Sequence, residues 1–377
     1  MTHIHENPKK SKFMELAISL AKKGMGYTAP NPCVGAVITK GNTILGQGYH
    51  RRYGEDHAEV AAIKDALSKG YDIKDSTLWV TLEPCNHYGK TPPCTHAILE
   101  HNIKRVNIGT LDPNPNVKGG GAEFLKSKGV IVDIGFNEIQ CKNLIRDFIV
   151  WNKKKRPYIF LKLAQTLDGK IATENGDSKW ISSQKSREFV HNLRAKVDCI
   201  LIGGNTFFND NPKLTPRIEA KEKKDPFAAI ITSRLPDPDS EYYLIKSRSK
   251  KTIFITTESD YEKIKGLQKK GVKIIHTEKK NGYINFYQEL SKLFSDLNCY
   301  YVLCEGGGRL AQSLVKNKLA DEIFLFIAPI ILGDDRARSS FSGNTISKIK
   351  DAHKFDIIDY RKIDTDLLIH LIPKGDI

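Results

Sequence analysis

Three potential metal ligands that lie far apart in the chain restrict how its first part can fold. His57-Ala58-Glu59 is followed by Pro84-Cys85 and then by Pro92-Pro93-Cys94. One imidazole and two thiolates suit a Zn²⁺ ion whose fourth tetrahedral position is left open for water. To bind one ion, these distant segments must converge on a common point. The pattern therefore predicts a folded domain built around a zinc site.

Glu59 is predicted to be the catalytic residue at this site. It follows His57 by two positions, which on an ideal helix is about 200° round the axis. Both side chains could still face one point if His57 stands at the irregular entry of the helix. A carboxylate beside the metal, but not bound to it, can take a proton from water and pass it to a leaving amine. The alternatives are a closed structural zinc with a fourth protein ligand, or three unrelated residues.

Hydrophobic periodicity predicts alternating helices and strands, which is typical of α/β architecture. The predicted helices are 12–24, 59–67, 95–100, 139–150, 186–197, 284–297 and 310–319. The predicted strands are 34–38, 43–46, 78–82, 106–109, 130–134, 158–164, 200–203, 228–231, 252–256, 272–276, 300–304 and 323–332, the last as one long strand or a pair. Lys40-Gly41-Asn42 predicts a hairpin turn, and the second half is expected to contain a mostly parallel sheet.

The length of 377 residues favours two domains. The basic segment Trp151-Asn-Lys-Lys-Lys-Arg-Pro157 interrupts the alternation and is predicted to be a solvated linker rather than a nucleic-acid patch. We therefore expect a first domain at 1–150, a linker at 151–157 and a second domain at 158–377.

Composition narrows the class of protein. Hydrophobic residues make up 40% and charged residues 27%, which excludes a disordered or collagen-like chain. The sequence contains no apolar run long enough for a membrane span and no signal peptide, so a cytoplasmic location is expected. Seven cysteines then indicate free thiols or metal ligands rather than disulfides. The net charge of +15 is compatible with nucleic acid, with anionic small molecules or with solubility alone.

The first half resembles the zinc nucleoside and base deaminases, which share His-x-Glu with Pro-Cys. Their usual Pro-Cys-x-x-Cys is replaced here by a gap of eight residues between Cys85 and Cys94. This gap is similar to that of the pyrimidine deaminase of riboflavin biosynthesis, as are the blocks Pro30-Asn-Pro-Cys-Val-Gly-Ala-Val37, Gly48-Tyr-His-Arg-Arg-Tyr-Gly-Glu-Asp-His57 and Asp112-Pro-Asn-Pro115. The resemblance implies a cytidine-deaminase-like α/β/α domain with Zn²⁺ bound by His57, Cys85 and Cys94. It also implies a group of substrate-binding residues: Asn31, His50, His87 and Lys90.

Glu305-Gly306-Gly307-Gly308 is the main feature of the second half. It lies between a predicted strand and a predicted helix, where successive backbone N–H groups can bind a phosphate. Alone it is weak evidence, because a tight turn gives the same pattern, and no Gly-x-Gly-x-x-Gly follows a strand. Blocks resembling the reductase of the same pathway support it: Lys162-Leu-Ala-Gln-Thr-Leu-Asp-Gly-Lys170, Ser178-Lys-Trp-Ile-Ser-Ser183, Leu193-Arg-Ala195 and Thr206-Phe-Phe-Asn-Asp-Asn-Pro-Lys-Leu-Thr-Pro-Arg217.

This second resemblance implies a dihydrofolate-reductase-like α/β domain that uses NADPH. The preference for NADPH over NADH comes from the resemblance alone. The implied cofactor residues are Ala164, Trp180, Thr206, Asp210, Ser233, Gly307 and Gly308. The implied substrate residues are Lys162, Ser178, Arg194, Leu214, Arg217 and Glu305, of which the two arginines suit a ribose phosphate. Thr232 stands where the family pattern has Asp.

Together the resemblances imply a bifunctional enzyme of riboflavin biosynthesis. The first domain would deaminate 2,5-diamino-6-ribosylamino-4(3H)-pyrimidinone 5′-phosphate by hydrolysis, and the second would reduce the ribosyl group to ribityl. The expected partners are this phosphorylated pyrimidine and a second copy of the chain, in a dimer or tetramer formed through the reductase domain, but neither nucleic acid nor membrane. The alternatives are a deaminase of tRNA or single-stranded nucleic acid with an accessory domain, and a zinc-stabilised binding protein whose active sites have decayed.

Overall fold

The structure, a computed structural model, describes residues 11–88, 92–114, 120–219, 223–280, 283–343 and 346–375. The chain divides into two compact units between Lys154 and Lys155. Among the described helices, none has the length and apolar character that a membrane crossing requires. The mixed α/β character predicted for both halves is confirmed.

The first unit is built on a mixed sheet with the strand order β2-β1-β3-β4-β5. Its strands are β1 Gly35–Lys40, β2 Thr43–Tyr49, β3 Thr77–Leu82, β4 Arg105–Thr110 and β5 Ile131–Ile134. Its helices are α1 Lys12–Ala21, α2 Ala58–Ser68, α3 Cys94–Glu100, α4 Gly121–Ser127, α5 Glu138–Leu144 and α6 Arg146–Ile149. β1 pairs antiparallel with β2, which confirms the predicted hairpin, and β3, β4 and β5 run parallel. The predicted helix 139–150 is divided into α5 and α6 at Ile145.

Close packing of α2 against β2 fixes the start of α2, which carries predicted site residues. A Cβ atom added at Gly46 would lie 2.3 Å from the carbonyl oxygen of Ala62. At Gly48 it would lie 2.4 Å from the backbone nitrogen of Ala62. Any larger residue at either position would push the helix outward. The two glycines therefore set the distance between α2 and the sheet.

The second unit contains a larger sheet with the order β11-β10-β9-β8-β14-β6-β15-β18-β17. Its strands are β6 Tyr158–Thr166, β7 Lys170–Ala172, β8 Cys199–Gly203, β9 Phe227–Thr232, β10 Thr252–Thr256, β11 Lys273–His276, β12 Lys279–Lys280, β13 Tyr283–Ile284, β14 Tyr301–Cys304, β15 Glu322–Ala328, β16 Arg338–Ser339, β17 Phe355–Ile363 and β18 Asp366–Pro373. Its helices are α7 Gln184–Arg194, α8 Gly204–Asp210, α9 Tyr243–Lys246, α10 Tyr261–Lys269, α11 Phe286–Leu297 and α12 Gly308–Lys316.

In this spatial order, each strand from β11 across the sheet to β15 runs parallel to its neighbour. At the end of the sheet, β18 pairs antiparallel with β15 and β17 pairs antiparallel with β18. The predicted mostly parallel sheet is thus confirmed. The predicted strand 323–332 was too long, because β15 ends at Ala328. Beyond it, the Asp168 carboxylate accepts the backbone N–H groups of Leu332 and Gly333 at 3.2 and 2.9 Å, so these groups serve a loop instead of a strand.

Arg156 differs from the expectation for the basic linker. The prediction of solvated side chains is wrong for this residue, whose side chain is 1% exposed. Its guanidinium donates two hydrogen bonds to the Asp321 carboxylate, at 2.6 and 2.8 Å. Asp321 also accepts the backbone N–H of Ile159 at 2.8 Å. The pair therefore joins the amino ends of the neighbouring strands β6 and β15.

Replacing Asp321 by Asn should destabilise the second unit. The substitution leaves the buried guanidinium of Arg156 without a counter-ion, and breaking a buried pair in this way costs about 3–5 kcal/mol of unfolding free energy. Urea unfolding followed by fluorescence measures the loss. Asp359→Asn, which removes the exposed partner of Arg361, is the matched control and should have little effect. Equal stability of the two variants would contradict the role given to the buried pair.

Candidate active sites

The first site assembles the three predicted metal ligands from separate elements. His57 is the residue that caps the start of α2, Cys85 follows β3, and Cys94 is the first residue of α3. The ligand atoms of these residues lie within 4.8 Å of one another. His57 Nδ1 is 3.2 Å from Cys94 Sγ and 3.5 Å from Cys85 Sγ. The chain thus brings one imidazole and two sulfur atoms to a single point.

The chemistry and spacing of these donors fit Zn²⁺. In a tetrahedral site with Zn–N and Zn–S bonds of ordinary length, nitrogen and sulfur ligands are separated by about 3.6 Å. The observed nitrogen–sulfur separations are close to this value. Hydrogen bonds from Cys94 and His57 lower the pKa of the Cys85 thiol to about 4, whereas Cys85 and burial raise the pKa of Cys94. At neutral pH one of the two sulfurs is therefore already a thiolate, the form that binds metal.

Glu59 lies in the first turn of α2 and is almost completely buried, at 3% exposure. His57 has an extended backbone conformation, with φ −68° and ψ 160°, because it precedes the helical turns. Because His57 stands at this irregular helix entry, the side chains of His57 and Glu59 can both face the two cysteine sulfurs, as expected from the sequence. Burial, followed by the negative charge of Cys85, raises the pKa of Glu59 to about 7. Such a carboxyl group can accept and release a proton near neutral pH.

Asn31 and His50 lie beside the metal ligands. The Asn31 side-chain nitrogen is 3.1 Å from His50 Nε2, and the other ring nitrogen of His50 is 3.0 Å from the carbonyl oxygen of Asp56. The rings of His50 and His57 meet edge to face, with centroids 5.3 Å apart. Burial lowers the pKa of His50, which keeps this ring neutral. The structure therefore groups these two predicted substrate residues with the zinc site.

The remaining predicted deaminase residues lie on the loop after Cys85. His87 is exposed and close enough to Asp112 to affect its carboxyl group, while Lys90 lies outside the described residues. Asp112 was not predicted as a site residue, although its Asp-Pro-Asn-Pro block carried part of the resemblance. Burial and the nearby Glu83 raise the pKa of Asp112. Asp112 follows β4, which pairs with β3 in the sheet, and Cys85 follows β3. Its place after the neighbouring strand could therefore have identified Asp112 from the sequence.

The second site centres on an ion pair between Arg194 and Glu305. Arg194, the last residue of α7, donates to the two Glu305 carboxylate oxygens at 2.6 and 2.8 Å. Burial opposes ionisation of Glu305, but Arg194 and Lys162 outweigh it and hold the pKa of Glu305 below its ordinary value. Lys162 comes from the middle of β6, and burial lowers its pKa. Two cations thus surround one carboxylate, as expected if these predicted residues form one site.

His191 connects Arg217 to this group and was missed in the sequence. The backbone N–H and the Nε of Arg217 lie 3.2 and 3.1 Å from the two ring nitrogens of His191. Burial and the charges of Arg194 and Arg217 lower the pKa of His191 to about 4, so the imidazole is neutral. Its spacing of three residues from Arg194, which places both on one face of α7, was the available signal.

Leu214 occupies the loop between Arg217 and α8. It is buried at 2% exposure and has a positive φ of 48°, a left-handed conformation that is strained for a leucine. Arg248 donates to its carbonyl oxygen at 2.9 Å, and Arg194 donates to the neighbouring Thr215 carbonyl at 3.2 Å. These contacts hold the loop beside the ion pair.

The predicted cofactor residues come from loops that follow strands of the large sheet. Ala164 lies near the end of β6, and Thr206 and Asp210 lie on α8 directly after β8. Lys179, next to the exposed Trp180, is close enough to Asp210 to oppose the rise in its pKa that burial causes. Ser178, predicted to contact substrate, belongs to the same loop as Trp180. The structure therefore brings this loop near α8.

Gly307 and Gly308 begin α12 after β14, with Gly307 as the capping residue. A Cβ atom at Gly308 would lie 2.2 Å from the carbonyl oxygen of Ser339, so this position must be glycine. At Gly307 the nearest atom would be the Ile171 side chain at 3.9 Å, and at Gly203, after β8, nothing lies within 4 Å. Gly203 and Gly307, which follow β8 and β14, therefore both have open space beside their Cα atoms. A dinucleotide phosphate could approach the backbone there, which fits NADPH.

Comparison with known proteins gives matches along both units. Residues 7–110 match the cytidine and deoxycytidylate deaminase zinc-binding region, and residues 157–369 match the RibD C-terminal domain. The riboflavin biosynthesis protein RibD of Aquifex aeolicus is 44% identical over 85% of this chain and 87% of its own. That of Bacillus amyloliquefaciens is 39% identical over 96% of each chain.

A solved structure gives the same result. The diaminohydroxyphosphoribosylaminopyrimidine deaminase/5-amino-6-(5-phosphoribosylamino)uracil reductase of Thermotoga maritima is 37% identical, covers 96% of this chain and 97% of its own, and superposes with a TM-score of 0.80. The resemblance inferred from the sequence motifs is confirmed, as are the deaminase-like and reductase-like folds. With this extent of identity over both units, the chain belongs to the RibD family.

Proposed function

We propose that the first unit deaminates a phosphorylated diaminopyrimidine and that the second reduces the ribosyl group of the product with NADPH. The chain is a deaminase and a reductase of riboflavin biosynthesis, as its relatives are along both units. The observation that carries the proposal is the convergence of His57, Cys85 and Cys94 beside the buried Glu59. A nucleic-acid base deaminase with an accessory domain is not favoured, because the relatives match the second unit as well.

Proton transfer in the deaminase site falls to Glu59. Bound Zn²⁺ supplies a Lewis acid that lowers the pKa of a water molecule. The Glu59 carboxylate would take a proton from this water as the water oxygen bonds to the ring carbon that carries the amino group. It would then give that proton to the amino group, which leaves as ammonia when its bond to this carbon breaks. Glu59 is 3% exposed, so bulk solvent has little access to its carboxyl group. Asn31 and His50, which are joined by a hydrogen bond, are proposed to orient the pyrimidine ring.

Positioning is the main task of the reductase site. NADPH supplies the hydride when it is bound. We assign Lys162 and Glu305 to the sugar, because Glu305 directly follows β14 and Lys162 lies close to it on the adjacent strand β6. Arg217 is assigned to the phosphate, because its side chain is exposed and its Nε faces the neutral His191. Arg194 already donates two hydrogen bonds to Glu305. We therefore propose that it binds the substrate through its remaining N–H groups and its positive charge.

Glu59→Gln should abolish ammonia release and leave about one zinc per chain. The amide cannot take a proton from water, and loss of a general acid–base group costs about 10²–10⁴-fold in rate. Ammonia assay and metal analysis of the same preparation test this expectation. Cys94→Ser is the companion variant and should lose both zinc and activity. Turnover by Glu59→Gln close to that of the parent would overturn the assignment of the base.

Arg217→Ala should raise the reductase KM for the phosphorylated substrate by about tenfold or more, since hydrogen bonds to charged groups contribute about 1.5–3 kcal/mol. The KM for NADPH should change little. Arg194→Ala should raise the same KM and also lower kcat, because it leaves Glu305 without its paired cation. Both effects are measured from the loss of NADPH absorbance. A larger rise in the KM for NADPH than in the KM for the substrate would contradict this assignment and indicate that these arginines bind the cofactor.

We further propose a homo-oligomer, a dimer or tetramer, formed through the reductase unit. Its support is an apolar surface of four aliphatic residues: Leu167, Ile330, Ile331 and Leu332. Leu167 donates its backbone N–H to the carbonyl oxygen of Ile330 at 2.8 Å, so the two segments are adjacent. Ile331 is 68% exposed and Leu167 is 59% exposed. Contiguous exposed apolar residues of this kind are typical of association surfaces.

Ile331→Lys should shift the assembly towards the monomer, because a charge would be buried at the contact. Light scattering coupled to size-exclusion chromatography gives the mass, and Ile349→Lys, at another exposed isoleucine of the same unit, is the control. A parent chain that is monomeric, or an Ile331→Lys variant with unchanged mass, would contradict the proposal.

We also propose that the protein is cytoplasmic, because all seven of its cysteines are free. Cell fractionation tests it.

A further inference from the structure

The side chain of Glu83 joins three segments that meet beside the zinc site. Glu83 directly follows β3 and stands two positions before the proposed zinc ligand Cys85. Its Oε2 accepts the backbone N–H of Asp112 at 3.1 Å, and its Oε1 accepts the backbone N–H of Ala122 at 3.0 Å. Asp112 belongs to the loop after β4, and Ala122 to the first turn of α4. One carboxylate therefore connects the end of β3 to both segments.

Two glycines at the start of α4 leave room for this contact. Gly120 is the capping residue of the helix, and a glycine has no side chain that could accept the free N–H groups of the first turn. The Glu83 carboxylate accepts one of them instead, and a Cβ atom at Gly120 would lie 2.5 Å from its Oε1. At Gly121 a Cβ atom would lie 1.9 Å from the carbonyl oxygen of Pro84. The backbone that leads to Cys85 is thus in direct contact with the start of α4.

Cys85 is held from its other side by the start of α3. Its carbonyl oxygen accepts the backbone N–H of Thr95, and its Sγ accepts the backbone N–H of Cys94, both at 3.3 Å. Before Cys85, the backbone N–H of Glu83 donates to the Thr110 carbonyl oxygen at 2.9 Å, which continues the pairing of β3 with β4. Contacts on both sides therefore fix the backbone of Cys85, and those on the β3 side depend on Glu83.

We propose that Glu83 is a positioning residue of the zinc site, which fixes the backbone of Cys85 so that its sulfur lies beside His57 and Cys94; this rests on the zinc site proposed above. Glu83 acts through the backbone and takes no part in proton transfer, which is assigned to Glu59. Groups that orient metal ligands without binding the metal raise metal affinity, and their loss typically lowers it by about 10–100-fold. Loss of the Glu83 carboxylate should therefore weaken zinc binding.

Zinc release from the full chain tests this role. Zinc-loaded protein is mixed with a chelating dye, and the rate of colour formation gives the rate of zinc loss. The first variant is Glu83→Gln, which keeps the length of the side chain but turns an NH₂ group towards one of the two N–H donors. The second is Glu83→Ala, which removes both hydrogen bonds. The matched control is Asp65→Asn, because the Asp65 carboxylate also joins two elements by accepting the Gln47 backbone N–H at 2.8 Å, but from the last turn of α2.

Two further measurements separate the zinc site from the stability of the fold. The visible spectrum of bound Co²⁺ depends on the geometry of its ligands, so cobalt-substituted protein reports the arrangement of the two sulfurs and the imidazole. Thermal unfolding of the zinc-free protein shows how much stability each variant loses without metal. Glu83→Gln should release zinc about tenfold faster than the parent and change the Co²⁺ spectrum, and Glu83→Ala should have a larger effect on both. Asp65→Asn should change neither, even where it lowers the unfolding temperature as much.

Zinc release and a Co²⁺ spectrum that are unchanged in Glu83→Gln, or changed equally in Asp65→Asn, overturn the proposal and leave Glu83 a role in stability alone. A parent chain that binds no zinc overturns the zinc site itself, whereas a parent that binds zinc as tightly as Glu83→Gln does overturns only the inference about Glu83.

Discussion

Parallel pairing of neighbouring strands is the constraint on which both sites depend. Strands that run in one direction deliver the residues after their carboxyl ends to a common edge of the sheet, where loops and helix starts can surround a ligand. In the first unit the loops after β3 and β4 bring Cys85 and Asp112 to this edge. In the second unit the loops after β8, β9 and β14 bring the proposed cofactor residues. The buried pair of Arg156 and Asp321 fixes the opposite, amino ends of β6 and β15.

The deaminase site shows how one irregular residue solves a geometrical conflict. His57 and Glu59 would point in nearly opposite directions if both were inside a regular helix. Because His57 only caps α2, its side chain turns towards the two cysteines while Glu59 faces the same point from the first turn. The position of α2 itself depends on Gly46 and Gly48, which allow the helix to approach β2 closely. The position of the proposed catalytic residue therefore depends on backbone contacts between α2 and β2.

Charge is arranged differently in the two units. In the deaminase site, burial and a neighbouring thiolate raise the pKa of Glu59, which suits the proton transfer that we propose for it. In the reductase site, Arg194 and Lys162 keep Glu305 ionised, which suits a residue that holds a substrate. Part of the net charge of +15 is assigned to ligand binding, because Arg217 is proposed to bind the substrate phosphate.

Sequence patterns predicted short buried apolar strands such as β10 and β14, and they failed at the antiparallel end of the large sheet, where β17 and β18 were both missed. β17 is exposed along nearly its whole length, so its sequence lacks the apolar signal of a core strand. The linker prediction was wrong for Arg156 because its partner, Asp321, is distant in the chain. His191 was missed for a similar reason, since its contact with Arg217 is made only when the loop after α8 folds back on α7.

The sequence by itself predicted the family from its motif blocks and the α/β layers from hydrophobic periodicity. It also predicted three zinc ligands, because one His and two Cys beside a Glu have few other chemical uses. Tertiary structure decided which side chains meet. The pairing of Arg194 with Glu305, the low pKa of His191 and the contact of Glu83 with the start of α4 all arise between residues from different elements. Their energies depend on distance and burial, and a linear pattern of residue types records neither.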